Sequence, residues 1–303
     1  MRLFHLITVA TLLLAACNNG AGTPQKKATE KRSATVEKND KERFLGETVM
    51  SYWDSYNFAD TAAGNIAEGE QRFSNFLMLL NYTDSAIASS AIGSYIKRGY
   101  AKRELRGRYD ALIRHYLDNP ESPMRNDAVY AHFLRCQLAC LTTDEAAARS
   151  RIEFKLQLVT KNLPGSIATD FRHIDRKGNV STLHATESPL TLVIFNDPEC
   201  ENCKRIIPQL KREPLLNIPE VKVLMIYPDE NTECWKSQQA NMPEGWTDAY
   251  SPEGEITGKQ LYHTPAMPSL YLLDSEKRII LKDAHPEVVK MAIKNILTEG
   301  AVN

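Results

Sequence analysis

The chain has 303 residues, and its 37 lysines and arginines against 38 aspartates and glutamates give a formal net charge of −1. This balance argues against a nucleic-acid partner, because binding to phosphates requires an excess of positive charge. The length is enough for two domains of ordinary size.

Residues 1–16 have the pattern of a secretory signal peptide. A basic start at Arg2 is followed by an apolar stretch shorter than the roughly 20 residues that a membrane-spanning helix needs. The stretch ends in Leu14–Cys17, which resembles a bacterial lipobox and so implies cleavage before Cys17 and acylation of that cysteine. An ordinary secretory signal that leaves Cys17 free is the alternative.

Residues 17–43 are predicted to form a flexible tether. They are polar and poor in apolar side chains, so they cannot bury enough surface to offset their ordering entropy. Asn18, rather than an aspartate, follows Cys17, a pattern that resembles outer-membrane lipoproteins. We therefore expect a periplasmic protein held to the membrane, the outer membrane in preference, by a lipid on Cys17.

Residues 44–162 are predicted to form an all-helical domain of unknown role. Apolar side chains recur at three- and four-residue spacing in Phe73–Leu80 and again in Tyr109–Leu117. A turn containing two prolines precedes a further helix from about Asp127 to Leu141, and a last helix reaches Lys161. The segment contains no catalytic signature.

Cys136 and Cys140 lie on one face of the helix predicted from Asp127. A second redox or metal pair is one interpretation, but only His132 is near enough to add a ligand, and a disulfide across one helical turn is strained. Two packed, buried thiols are the favoured interpretation. Unpaired thiols are nevertheless unusual in an oxidising compartment, so the question stays open.

Residues 163–303 change to a mixed pattern of strands and helices. A tight turn at Gly178 predicts a hairpin, and near-continuous apolar runs predict strands that are covered on both faces. Strands are predicted at 168–175, 180–183, 190–195, 221–227, 269–274 and 278–282, and a closing helix at 286–298.

The most informative motif is the Cys-x-x-Cys pair formed by Cys200 and Cys203. It directly follows a predicted buried strand and opens a predicted helix. The free N–H groups and the positive dipole end of that helix stabilise a thiolate on Cys200. Cys203, one turn on, is close enough to resolve a mixed disulfide, so the motif predicts a reversible dithiol.

Several motifs in the second half of the chain occur in an order typical of one family. They are Gly165–Phe171, the hairpin at Gly178, the strand before Cys200 and Cys203, and Pro268–Asp274. Together they resemble membrane-tethered thioredoxin-like proteins of the TlpA type and, more loosely, lipoproteins with a helical domain before such a domain. The resemblance implies an α/β thioredoxin-like C-terminal domain at 163–303, preceded by an all-α helical domain at 44–162.

The resemblance also implies roles for individual residues. Cys200 matches the nucleophilic thiol of a redox-active disulfide, and Cys203 matches the resolving thiol. Pro268, rather than Pro265, matches a cis-proline that lies opposite the dithiol, because it immediately precedes a strand. Met267 would then lie against the cysteines, and Met267 and Pro268 would contact the substrate. The implied partners are protein disulfides and an upstream dithiol electron donor, with no metal or other cofactor.

The sequence departs from thioredoxin at the position of a buried aspartate, which is Ile194 here. Some tethered relatives carry a glutamate where this chain has Ile206. Any acid that assists Cys203 must therefore be Asp197, Glu199, Glu201 or water. Asp197 and Glu199 are interpreted in preference as turn residues that cap the helix.

The direction of electron flow is predicted from the charges beside Cys200. Glu201 disfavours a thiolate there, whereas Lys204 and the helix end favour it. No residue is seen that stabilises the reduced form as strong oxidants do, so a reductase or isomerase is expected. Cys234 is interpreted as a half-buried loop cysteine packed near Trp235, with a third redox thiol as the alternative.

Three classes of function stay open. A thiol–disulfide oxidoreductase leads. A thiol peroxidase is disfavoured because the Thr-x-x-Cys that such enzymes place at the helix start is absent. A binding or scaffold lipoprotein, in which the two cysteines form a static disulfide, is the third.

Overall fold

The structure is a computed structural model that describes residues 40–229, 231–237 and 242–300. An all-helical N-terminal region is followed by a mixed α/β region, as predicted. The predicted signal peptide, the lipidation site Cys17 and most of the predicted tether lie outside the described residues. Within the described ranges, the chain contains no helix with the length and apolar character needed to cross a bilayer.

The N-terminal region packs its helices around one core. Its centre is aromatic: the ring of Tyr95 lies 4.9 Å from that of Trp53 and 5.1 Å from that of Phe73. Residues 40–43, predicted as tether, are already helical. The helices are 40–51 (α1), Ala63–Leu80 (α2), Ser85–Gly99 (α3), Arg106–Leu117 (α4), Asp127–Ala139 (α5) and Ala146–Val159 (α6).

Helix α5 begins where the sequence predicts because Asn126 caps it. The side-chain oxygen of Asn126 accepts hydrogen bonds from the backbone N–H groups of Ala128 and Val129, at 3.0 and 3.1 Å. These bonds satisfy donors that the first turn of a helix leaves free. The cap thus fixes Asp127 as the first residue of α5.

The C-terminal region contains one seven-stranded sheet with the order β2-β1-β5-β4-β3-β6-β7. Strands β3, β4 and β5 are parallel, and β6 runs antiparallel to β3. The strands are Arg172–Asp175 (β1), Val180–Thr182 (β2), Leu190–Phe195 (β3), Val221–Tyr227 (β4), Trp246–Tyr250 (β5), Ser269–Leu273 (β6) and Ile279–Leu281 (β7). The helices are Glu201–Lys211 (α7), Glu233–Ser237 (α8) and Pro286–Gly300 (α9).

Strand β3 lies inside the sheet and is buried along its whole length. Its side chains alternate between the two faces, so Ile194 packs in one core with α7 and α9, while Phe195 packs in the other. A strand covered on both faces must be apolar throughout, which explains its continuous apolar run.

Strand β5 was not predicted, because its sequence contains the charged residue Asp248. This aspartate is buried and partnered: it accepts a hydrogen bond from Trp235 Nε1 at 2.9 Å and pairs with Arg176. Trp246 donates from its indole nitrogen to Leu216 O at 3.1 Å. The two tryptophans therefore anchor the long connection between β4 and β6. Strand β1 is also shorter than predicted, beginning at Arg172.

Gly69 provides a test of the packing of the helical core. A Cβ atom at this position would lie 2.1 Å from the hydroxyl oxygen of Tyr56, which also bonds to Arg108 at 2.9 Å and to Asn65 O at 3.1 Å. Because these bonds hold the ring in place, we expect Gly69→Ala to lower the free energy of unfolding by about 1–3 kcal/mol. Urea denaturation followed by circular dichroism measures the change.

The matched control is Gly107→Ala in α4. A Cβ atom there meets nothing within 4 Å. The control should therefore be neutral or gain up to about 1 kcal/mol from the higher helix propensity of alanine. Equal stability of the two variants would contradict the packing argument.

Candidate active site

The loop that joins β3 to α7 places Cys200 at the N-cap of the helix. Asp197 shapes this loop, because its side chain accepts from Glu199 N at 2.8 Å and its carbonyl accepts from Cys200 N at 3.1 Å. The helix itself is capped by the sulfur of Cys200, which accepts from Cys203 N at 3.5 Å. Asp197 is thus a turn residue, as predicted, but it does not cap the helix. The N-cap of α7 is Cys200.

The two cysteines of the motif lie in different surroundings. Both are free thiols, but Cys200 is half-buried whereas Cys203 is 1% exposed. Burial, with smaller contributions from the neighbouring Cys200 and the charge of Asp197, raises the pKa of Cys203 to about 12, although a hydrogen bond from the backbone of Asp197 acts in the opposite direction. Cys200 is therefore the thiol that a partner can reach.

The residue before Pro268 forms the wall beside Cys200. The antiparallel register of β3 and β6 pairs Phe195 with Ser269, which brings the start of β6 next to the loop after β3. The Met267–Pro268 peptide bond is cis. The Cys200 thiol donates to Met267 O at 3.3 Å. The structure therefore brings Cys200, Cys203 and the Met267–Pro268 pair together.

Asn202 is a site residue that the sequence analysis missed. Its side-chain amide donates to Met267 O at 3.3 Å, so the same carbonyl accepts from Asn202 and from Cys200. Its position inside the motif is the available signal, but its partner lies 65 residues away in the chain. Asn202 ties the start of α7 to the segment before β6.

The charged residues next to Cys200 are paired with each other. Lys204 Nζ lies 2.6 Å from Glu201 Oε1, and both side chains are largely exposed. Their predicted opposite influences on Cys200 therefore largely offset each other in solvent.

Ile194, at the position of the aspartate in thioredoxin, is fully buried in β3. It fills the core and offers no proton-transfer group.

The other three described cysteines are free and half-buried. Cys136 and Cys140 pack against the helical core as predicted, but both are partly exposed rather than buried. Cys234 lies in helix α8 and not in a loop. Cys234 contacts Glu199, in the loop that carries Cys200, and burial together with this carboxylate raises the pKa of Cys234.

In the described parts of the chain, no cluster of His, Cys, Asp and Glu could hold a metal ion.

The C-terminal region has a thioredoxin-like fold, and an all-helical region precedes it. A crystal structure of a thioredoxin-like protein from Bacteroides caccae is similar over both regions, with a TM-score of 0.77 and 29% sequence identity. The match covers 95% of this chain and 99% of that chain.

Further matches cover one region each. The C-terminal domain of an uncharacterized protein from Bacteroides fragilis has 36% identity and a TM-score of 0.43, over 45% of this chain and 99% of that chain. The thioredoxin domain of a thiol-disulfide oxidoreductase from Bacteroides vulgatus has 21% identity and a TM-score of 0.38, over 44% of this chain and 97% of that chain. Residues 33–162 match a family described as a domain of unknown function, DUF5106. No curated protein matches the chain.

The contrast between the two thiols predicts selective alkylation. Iodoacetamide at about pH 8 should label Cys200 of the reduced protein roughly 100-fold faster than Cys203, because Cys203 is buried and its raised pKa keeps it protonated at that pH. Peptide mapping by mass spectrometry measures each rate separately from those of the other cysteines. In denaturant the two rates should converge. Equal rates in the folded protein would contradict the assignment of Cys200 as the reachable thiol.

Proposed function

We propose that the protein is a thiol–disulfide oxidoreductase that reduces or isomerises disulfide bonds of other proteins. The observation that carries this proposal is the pairing of a reachable thiol, Cys200 at a helix N-cap, with a buried thiol, Cys203, one turn along the same helix. The exposed thiol is suited to attack, and the buried thiol with the raised pKa is suited to resolution. The thioredoxin-like fold supports the same chemistry.

The first step is attack of the Cys200 thiolate on one sulfur of a substrate disulfide. A new sulfur–sulfur bond forms to Cys200, the substrate disulfide breaks, and one substrate sulfur leaves as a thiolate that takes up a proton. The backbone N–H of Cys203 already donates to the Cys200 sulfur, and the end of α7 favours negative charge there. Met267 O borders the approach to this sulfur.

In the second step, Cys203 loses its proton and attacks the sulfur of Cys200. The mixed disulfide breaks, the Cys200–Cys203 disulfide forms, and the second substrate thiol is released. Two electrons pass from the protein to the substrate, and a dithiol donor must restore them. Burial holds Cys203 protonated, so this step needs a proton acceptor. Water is suited to this role, and so is the carboxylate of Asp197, whose charge acts on Cys203.

Substitution of the resolving thiol should trap the substrate. Cys203→Ser should accumulate a mixed disulfide between Cys200 and a disulfide-bonded protein such as insulin, because the first step proceeds and the second cannot. Cys200→Ser should form none. Non-reducing electrophoresis and mass spectrometry detect the adduct.

The native protein provides the second arm of this experiment. Its Cys200–Cys203 couple should titrate reversibly across a dithiol redox series, at a potential low enough to reduce protein disulfides. A disulfide that resists dithiol in the folded protein would support the binding or scaffold alternative. Rapid consumption of hydrogen peroxide without trapping of protein substrate would support a peroxidase.

We further propose that the protein works in the periplasm as a lipoprotein anchored through Cys17. The lipobox-like Leu14–Cys17 segment and the polar stretch after it support this location. In cells, Cys17→Ala should move the protein from the membrane fraction to the soluble fraction or leave it unprocessed, whereas Cys234→Ala should not. Mass spectrometry of the mature N-terminus should find acyl groups on Cys17. An unmodified residue there would contradict the proposal.

A further inference from the structure

A buried cluster of charges joins the helical region to the thioredoxin-like region. Arg125 lies just before α5 and Asp127 is its first residue, and Lys282 and Asp283 follow β7. The side chains of Arg125, Asp127 and Lys282 are 9%, 5% and 3% exposed. Such charges stay buried only where opposite charges and hydrogen bonds satisfy them. The contact therefore depends on accurate geometry rather than on apolar area alone.

One branch of the cluster leads from the helical region to the candidate active site. The guanidinium of Arg125 pairs with Asp283 through one terminal nitrogen and with Asp127 through the other, at 3.1 Å. The second oxygen of Asp283 accepts from the hydroxyl of Ser269 at 2.7 Å. Ser269 directly follows Pro268 and opens β6. Each link is a direct contact, from Arg125 to the segment that borders Cys200.

The second branch reaches His263, which precedes the same segment in the sequence, and Tyr271, which follows it. Asp127 accepts from Lys282 at 2.8 Å and lies 3.1 Å from His263 Nδ1. Burial raises the pKa of Asp127, but the hydrogen bond from His263 and the charges of Lys282 and Arg125 outweigh it and hold the pKa well below its ordinary value. The carbonyl of His263 in turn accepts from Tyr271 of β6 at 3.0 Å.

We propose that Arg125 is a positioning residue for disulfide exchange. Acting through Asp283 and Ser269, it holds the Met267–Ser269 segment at the distance from Cys200 that a bound polypeptide disulfide requires. The inference rests on the proposed function for its catalytic part, and it gives the helical region a role in that site. Arginine suits the role because its rigid planar fork holds two carboxylates in a fixed geometry, whereas the ammonium of lysine is a point charge on a flexible stem.

The test compares Arg125→Ala with the unaltered full-length protein in two measurements. Hydrogen–deuterium exchange of peptides covering residues 261–273 should become faster while exchange in β3 and β4 is unchanged. The KM for reduction of insulin should rise about tenfold, since a small displacement of a positioning group is enough for such a loss. The rate with a small disulfide, bis(2-hydroxyethyl) disulfide, should change little because it needs no polypeptide contact.

Arg106→Ala is the matched control, since Arg106 pairs with Glu145 inside the helical region at 3.1 Å. It should alter neither measurement. If Arg125→Ala fails to fold, Asp283→Asn replaces it, because that variant keeps an acceptor for Ser269 and loses the charge that Arg125 binds. Arg125→Lys should restore only part of what Arg125→Ala loses in the exchange protection of residues 261–273 and in the KM for insulin. Effects of Arg125→Ala no larger than those of Arg106→Ala would overturn the proposal.

The exchange measurement separates the two levels of the argument. If the unaltered protein fails to reduce insulin but exchange at 261–273 still depends on Arg125, the proposed function fails and the positioning contact stands. If the unaltered protein is active and both Arg125 measurements are unchanged, the positioning role fails and the function stands.

Discussion

The pairing of β3 with β6 is the constraint on which the candidate site depends. Phe195 lies opposite Ser269 in this antiparallel pair, so the loop leaving β3 and the segment entering β6 meet at one end of the sheet. That meeting places Cys200 against Met267, 67 residues away in the chain. A shift of register by one residue would move every side chain of the strand to the other face, and both faces of β3 are tightly packed. Packing in the two cores therefore fixes the geometry at the thiol.

One helix start gives the two cysteines of the motif different chemistry. Cys200 occupies the N-cap, where its side chain points back over the free N–H groups of the first turn. Cys203 is one turn further, on the face that packs against β3, where burial favours the neutral thiol. In the proposed mechanism, position on the helix therefore divides attack from resolution. With Ile194 at the position of the buried aspartate, the proton of Cys203 would pass to Asp197 or to water.

The sequence predicted those features that depend on local pattern. The apolar runs at β3, β4 and β6 and the cysteine spacing predicted the strand, the helix start and the order of the fold. Strand β5 could not be predicted, because its buried Asp248 is stabilised by Trp235 and Arg176, which lie outside the strand. The hydrogen bond from Asn202 to the carbonyl of Met267 could not be predicted for the same reason. Local patterns do not record partners that the fold brings from elsewhere in the chain.

The contact between the two regions also depends on partners that are distant in sequence. An apolar contact tolerates sliding, whereas Asp127 needs Arg125, Lys282 and His263 together, and these come from three separate segments. Breaking one buried pair leaves an uncompensated charge at a cost of about 3–5 kcal/mol, although replacing a whole cluster with apolar residues is often neutral. The cluster is therefore better understood as a device for orientation than as a source of stability. Because its branches end at Ser269 and at His263 and Tyr271, before and after Met267–Pro268 in the sequence, the orientation it selects is also the orientation of the wall beside Cys200.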